Sequence, residues 1–193
     1  MKSVCVFCGS SPGASPEYRE AAGRVGRLLA GRGIALVYGG ASVGLMGAVA
    51  DAALTAGGQV VGVLPAVLAD KEIAHRGLSE LRLVGSMHER KALMAGLSDG
   101  FLVLPGGMGT LDETAEILTW GQLGLHDKPV GLLDVRGFWA GLLSFLDHAV
   151  AERFLRPQHR AAVLCDGDPE RLLDRMAAWR PQRTDKWLDR GPA

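Results

Sequence analysis

FLVLPGGMGTLDE, residues 101–113, changes character halfway along. Phe101 to Leu104 form an apolar run with no alternation, the pattern of a strand buried on both faces. Three glycines within four residues follow: Gly106, Gly107 and Gly109. From Leu111 to Leu125 the pattern turns helical. A strand that passes through a glycine turn into a helix is the building unit of an open parallel α/β sheet, and ligands of such sheets sit at that carboxyl end.

The same rhythm runs outward in both directions. Strands are expected near Ser3–Cys8, Ala35–Tyr38, Gln59–Leu64, Leu81–Val84, Gly100–Leu104, Pro129–Leu133 and Ala162–Cys165. Helices are expected near Pro16–Gly31, Leu45–Ala56, Met87–Leu97, Leu111–Leu125, Gly137–Glu152 and Pro169–Trp179. The fold class is therefore α/β, a single Rossmann-like doubly wound domain of about seven parallel strands over residues 1–180, with a polar tail at 181–193. The 193-residue length suits one domain. One connection breaks the rhythm: Pro65 to Ser79, 15 residues holding Lys71 and Glu72, is long enough for a binding segment or lid and has room for a short helix.

Composition narrows the function. The 21 basic residues equal the 21 acidic ones, so no global field draws nucleic acid or a membrane surface, and any anion site must be local. The apolar region Ala48 to Ala69 is broken by Asp51, Gly57, Gly58, Gln59 and Pro65, which argues against a membrane span. Nothing at the start resembles a signal peptide, and a cytoplasmic location is expected. Cys5 and Cys8 form a C-x-x-C on a strand, where positions three apart point to opposite faces and neither chelate nor bridge. The five histidines show no spacing for a metal site.

Three strand ends carry glycine or small polar residues: Cys8-Gly9-Ser10-Ser11, then Gly39-Gly40-Ala41-Ser42-Val43-Gly44-Leu45-Met46-Gly47, then Pro105 to Thr110. The last two lead directly into helices, whose first turns offer unpaired N–H groups and a positive dipole end. Glycine lets an anion approach that backbone, so a phosphate-bearing ligand follows. The usual versions are excluded. There is no G-x-x-x-x-G-K-[ST], the first turn is not G-x-G-x-x-G, and Gly39-Gly40 stands where a dinucleotide enzyme carries a ribose-binding carboxylate.

Two charged constellations flank these turns. Ser86 and Glu89 form an S-x-x-E capping box. Arg90 and Lys91 lack such an explanation, because cations in a first helical turn oppose the macrodipole at a cost of about 0.3–1 kcal/mol each. Arg90 shares a face with Met87, Met94 and Leu97, so it should be half buried and needs a partner, unless it snorkels to solvent. Thr110-Leu111-Asp112-Glu113 also reads as a capping box. Glu113 then either caps Thr110 or points past the phosphate toward a sugar.

Taken together, Pro105-Gly106-Gly107-Met108-Gly109-Thr110-Leu111-Asp112-Glu113 resembles the PGGxGTxxE motif of the LOG (LONELY GUY) family of cytokinin riboside 5′-monophosphate phosphoribohydrolases. Met87-His88-Glu89-Arg90-Lys91 resembles its second signature. Tyr38-Gly39-Gly40, Gly44-Leu45-Met46-Gly47 and Thr119-Trp120-Gly121-Gln122-Leu123-Gly124 extend the likeness to about Asp166. The resemblance implies a homodimer without a cofactor that cleaves a nucleoside 5′-monophosphate to free base and ribose 5-phosphate. It implies Arg90 and Glu113 as the catalytic pair. Gly106, Gly107, Met108, Gly109 and Thr110 would cradle the phosphate, with Ser10, Gly39 and Gly40 nearby. Glu72, Met87, Lys91, Leu111, Asp112 and Thr119 would complete the substrate contacts. Asp112 departs from the more familiar glutamate. Proteins of this kind have also carried the label lysine decarboxylase, but no pyridoxal-binding lysine context is evident here.

Loss of the base leaves an oxocarbenium-like ribose, so Glu113 is expected to orient the ribose hydroxyls or activate water and to stabilise the cation. A guanidinium is no general acid at neutral pH, so Arg90 should position phosphate or base. No group in the sequence stands out to protonate the purine nitrogen; Glu72 in the long connection is one candidate. Two other classes compete: a nucleotide-binding module that cleaves nothing, and a hydrolase that prefers plain AMP. Met46, Met87 and Met94 would either line a pocket for an isoprenoid side chain or belong to the core. Trp120 and Leu123 would face either a partner helix or the core.

Overall fold

The computed structural model describes residues 1–69 and 74–181. Seven strands form one sheet: β1 (Ser3–Phe7), β2 (Ala35–Tyr38), β3 (Val60–Pro65), β4 (Glu80–Val84), β5 (Phe101–Val103), β6 (Val130–Leu133) and β7 (Val163–Asp166). Their order is β4-β3-β2-β1-β5-β6-β7, and every pairing is parallel. The expected doubly wound sheet is the one observed. Its order reverses between β1 and β5, so the loops that leave these strands part and open a crevice above their carboxyl ends.

Helices cover both faces of the inner strands, which is why these read as unbroken apolar runs, whereas the edge strand β4 carries Glu80 and Arg82 and is largely exposed. On one side α1 (Pro16–Gly31), α2 (Gly44–Thr55) and α8 (Pro169–Ala178) bury Val25, Leu29, Val49 and Leu172 against Val4, Val6 and Cys8 of the β1 segment. On the other, α4 (Met87–Leu97), α5 (Met108–Gln122) and α6 (Ala140–Ala151) pack Met94, Ile117 and Leu143 with Cys5, Phe7 and Trp139. Cys5 and Cys8 thus fall in opposite layers as free, buried thiols. Two short helices complete the elements of the described residues: α3 (Ala66–Leu68), a single turn in the long connection, and α7 (Pro157–Ala161), which the sequence pattern does not reveal. Among the described residues no helix is long and apolar enough to cross a membrane.

The two helix starts that matter behave differently. Ser86 caps α4 as expected: its Oγ accepts from Glu89 N–H at 3.1 Å, and the Glu89 carboxylate accepts from Gly85 N–H at 2.7 Å. Helix α5 instead begins three residues before Leu111, at Met108. Gly107 is its extended N-cap, and its carbonyl takes the Leu111 N–H at 3.0 Å. Thr110 is therefore already helical, and the expected Thr110–Glu113 capping box does not form. That frees Glu113 from a capping role.

Candidate active site

Backbone contacts knit the three glycine turns into one floor. Gly9 N–H donates to Pro105 O at 3.1 Å, and Leu45 N–H donates to Gly9 O at 3.0 Å. Gly44, at φ +59°, lies so close to Ser10 that a Cβ there would stand 2.3 Å from the Ser10 carbonyl. The glycines of 105–110 divide into two kinds. A Cβ on Gly106 would meet Thr110 Oγ1 at 2.1 Å and Gly9 N at 2.9 Å, so this glycine is required by packing. Gly107 and Gly109 would meet nothing within 4 Å, and neither has a positive φ. No feature of the chain itself demands glycine at these two positions. Both leave the first turn of α5 open to close approach from outside the chain.

Thr110 is buried beneath Gly106, while Met108 and Leu111 stand exposed at the rim. Ser10 is exposed above the crevice.

The charged pair sits at the same floor. Arg90 and Glu113 approach to 3.4 Å, with side chains only 11% and 10% exposed. Arg90 is held on several sides. Its Nε donates to Val63 O at 3.2 Å, and Met87 Sδ lies 3.9 Å from Nη1. Gly39 provides the space for it, since a Cβ there would stand 2.1 Å from Nη2. The expectation of a partnered, half-buried arginine holds, and snorkelling does not occur. Burial raises the Glu113 carboxyl to about 6, with Arg90 pulling it back down and Asp112 pushing it up. Desolvation wins because the carboxylate is only 10% exposed and the guanidinium is shared with Val63 O. A carboxylate poised near 6 is ionised at neutral pH yet basic enough to accept a proton.

Lys91 also turns inward, 8% exposed. Its Nζ donates to Asp112 Oδ2 at 3.1 Å and lies 3.0 Å from Glu116 Oε2. Burial pushes its pKa down, but the pull of Glu116 and Asp112 outweighs this and holds it above the ordinary lysine value. Glu116 is the site-adjacent residue that sequence reasoning misses. The available signal is its position one turn after Asp112 on the same helix face.

The remaining expected residues are dispersed. Thr119 stands exposed further along α5, its hydroxyl donating to Ala115 O at 2.7 Å, so a single chain does not bring it to Glu113. Glu72 lies outside the described residues. The three methionines part company: Met94 is fully buried core, Met87 is 44% exposed beside Arg90, and Met46 lies against Gly39. Among the described residues no group of three or more His, Cys, Asp or Glu is arranged to hold a metal ion.

Comparison with known proteins places this geometry. A family profile described as "Possible lysine decarboxylase" matches residues 46–176. The rice protein named "Probable cytokinin riboside 5′-monophosphate phosphoribohydrolase LOGL6" is 49% identical over 96% of this chain and 74% of its own. Arabidopsis thaliana "Cytokinin riboside 5′-monophosphate phosphoribohydrolase LOG1" is 46% identical over 94% of this chain and 85% of its own. Among solved structures, the molybdenum cofactor binding protein of the phototrophic bacterium Rippkaea orientalis shares the fold, with a TM-score of 0.70 and 25% identity over 92% of this chain and 97% of that one. Fold alone does not separate binding from cleavage. With near-half identity along nearly its whole length, the chain belongs to the LOG family of cytokinin riboside 5′-monophosphate phosphoribohydrolases.

Proposed function

We propose that this protein hydrolyses the N-glycosidic bond of N6-substituted adenosine 5′-monophosphates, and of AMP, to free base and ribose 5-phosphate. The observation that carries the reading is the buried Arg90–Glu113 pair, set beside an open helix start whose Gly107 and Gly109 leave room for a phosphate. The relatives' names point the same way. The phosphate takes the N–H groups at the start of α5, which fixes the ribose over Glu113. Glu113, ionised above about pH 6, aligns the ribose hydroxyls or the attacking water and faces the positive charge that develops as the base departs. Arg90 positions the phosphate or the departing base.

The working unit is a homodimer. In support, α6 is largely apolar yet only partly buries Leu142, Leu143 and Leu146, and Leu125, Phe145 and Phe154 stand exposed on or beside the α5 and α6 layer. A face of this kind marks an association surface.

The test is chromatography of purified protein incubated with isopentenyladenosine 5′-monophosphate and, separately, with AMP. Release of base and ribose 5-phosphate at a higher kcat/KM for the prenylated nucleotide supports a cytokinin-activating enzyme, whereas equal rates indicate a general nucleotide phosphoribohydrolase. Binding without any release of base overturns the hydrolytic reading.

A further inference from the structure

The lysine that follows Arg90 has its charge already engaged. Asp112 and Glu116, four residues apart on one face of α5, bracket Glu113, and both hold the Lys91 ammonium at 3.0–3.1 Å. On α4 the lysine directly follows Arg90. Among the described residues the ion pairs that join α4 to α5 are Arg90–Glu113, Lys91–Asp112 and Lys91–Glu116. Each helix packs on β1, so these side chains set the two charged turns level with one another.

We propose that Lys91 is a positioning residue: it straps the Glu113 turn of α5 to the Arg90 turn of α4 and balances the charge around the Glu113 carboxylate, instead of contacting phosphate. The assignment rests on the phosphoribohydrolase reading of Arg90 and Glu113. The surroundings of Glu113 make the role measurable. From α4 it faces the cations Arg90 and Lys91, and from α5 the anions Asp112 and Glu116. From β1 and its end it faces the thiols of Cys5 and Cys8, which burial holds neutral. Without Lys91, two carboxylates within a turn of Glu113 lose their counter-charge, and Glu113 keeps its proton to higher pH. A phosphate ligand would behave otherwise. Its loss would weaken binding of the phosphate and leave the Glu113 proton where it was.

Full-length wild type, Lys91→Met, Lys91→Arg and Glu116→Gln separate these roles. Three quantities are read: the Glu113 carboxyl titration by 13C NMR (assigned by its absence in Glu113→Gln), the pH profile of kcat/KM, and ribose 5-phosphate affinity by calorimetry. Lys91→Met is expected to move the Glu113 midpoint and the acid limb up together by about one unit. That costs about tenfold in kcat/KM on the acid limb and leaves ribose 5-phosphate affinity within about twofold. Lys91→Arg restores most of the displacement. Glu116→Gln moves the midpoint down, a check in the opposite direction should Lys91→Met fold poorly. An unmoved midpoint with affinity for ribose 5-phosphate weakened about tenfold or more makes Lys91 a phosphate ligand and overturns the proposal. Lowered melting with neither change reduces it to a packing residue and overturns it equally. If the wild type releases no base from any nucleotide, the reaction assignment fails, and the NMR titration still decides the strap.

Discussion

At the residue scale, the site holds a carboxylate where it is costly. Glu113 titrates near 6 in the folded chain against an ordinary 4.5, because burial outweighs the Arg90 counter-charge. A carboxyl raised in this way binds its proton more tightly folded than unfolded, so stability falls as pH climbs from 4.5 to 6. Above that window the whole cost, about 2 kcal/mol, stands. Glu113→Gln mimics the protonated group and escapes the cost. The variant is expected to lose nearly all turnover while melting higher than wild type at pH 7.5, with the difference closing as pH falls toward 4.5. Thermal denaturation across that range checks it, and equal melting curves at pH 7.5 would show that the carboxylate carries no such strain. Arg90 and Glu113 were legible in the sequence because each violated a local expectation: a cation in a helix's first turn, a carboxylate beside a phosphate turn. The partners of Lys91 were not legible. Asp112 lies 21 positions away on another helix, and only the fold brings it near.

At the element scale, β2 runs into a glycine that makes room for a side chain of α4. Gly39 makes the notch that admits the Arg90 guanidinium, and Val63 O at the neighbouring strand holds Nε. Gly39→Ala would place a methyl 2.1 Å from Nη2, an overlap that the long arginine resolves by moving away from Glu113. The fold should survive, since the atom displaced is the far end of a flexible side chain. Displacements near 1 Å in such pairs cost about 100-fold, so kcat should fall by about that factor while circular dichroism stays unchanged. Retention of wild-type kcat would show that the notch does not set the arginine. The strands and long helices were readable because burial on both faces leaves apolar runs and amphipathic stretches in strict alternation. The start of α5 was not, because glycine gives no cap signature and Thr110 with Glu113 imitates one further along. Helix α7, with five residues, is too short to show a period.

At the scale of the molecule, the sheet places its crevice between the β1 and β5 loops, and the site is assembled there from α4, α5 and three strand ends. The outer layer over that face is left apolar. Phe145 is 63% exposed, Leu125 69% and Phe154 89%, on or beside helices that belong to the same layer. Side chains of this size turned to water contribute nothing to a monomer and favour association, and a stable symmetric interface needs about 1,200 Å² or more of buried surface. Sedimentation velocity at micromolar concentration should therefore give one species of twice the chain mass. Phe145→Glu places a charge on α6 without touching the buried core, so it should shift that species toward the monomer and keep native circular dichroism. A wild type that sediments as a monomer sinks the dimer reading outright. A Phe145→Glu variant that remains dimeric moves the interface off α6 and leaves the apolar ends of α5, Leu123 and Leu125, as the surface to substitute next. Because the site's own ion pairs lie within one chain, the monomeric variant should still show the Glu113 titration near 6, which separates loss of assembly from loss of the site.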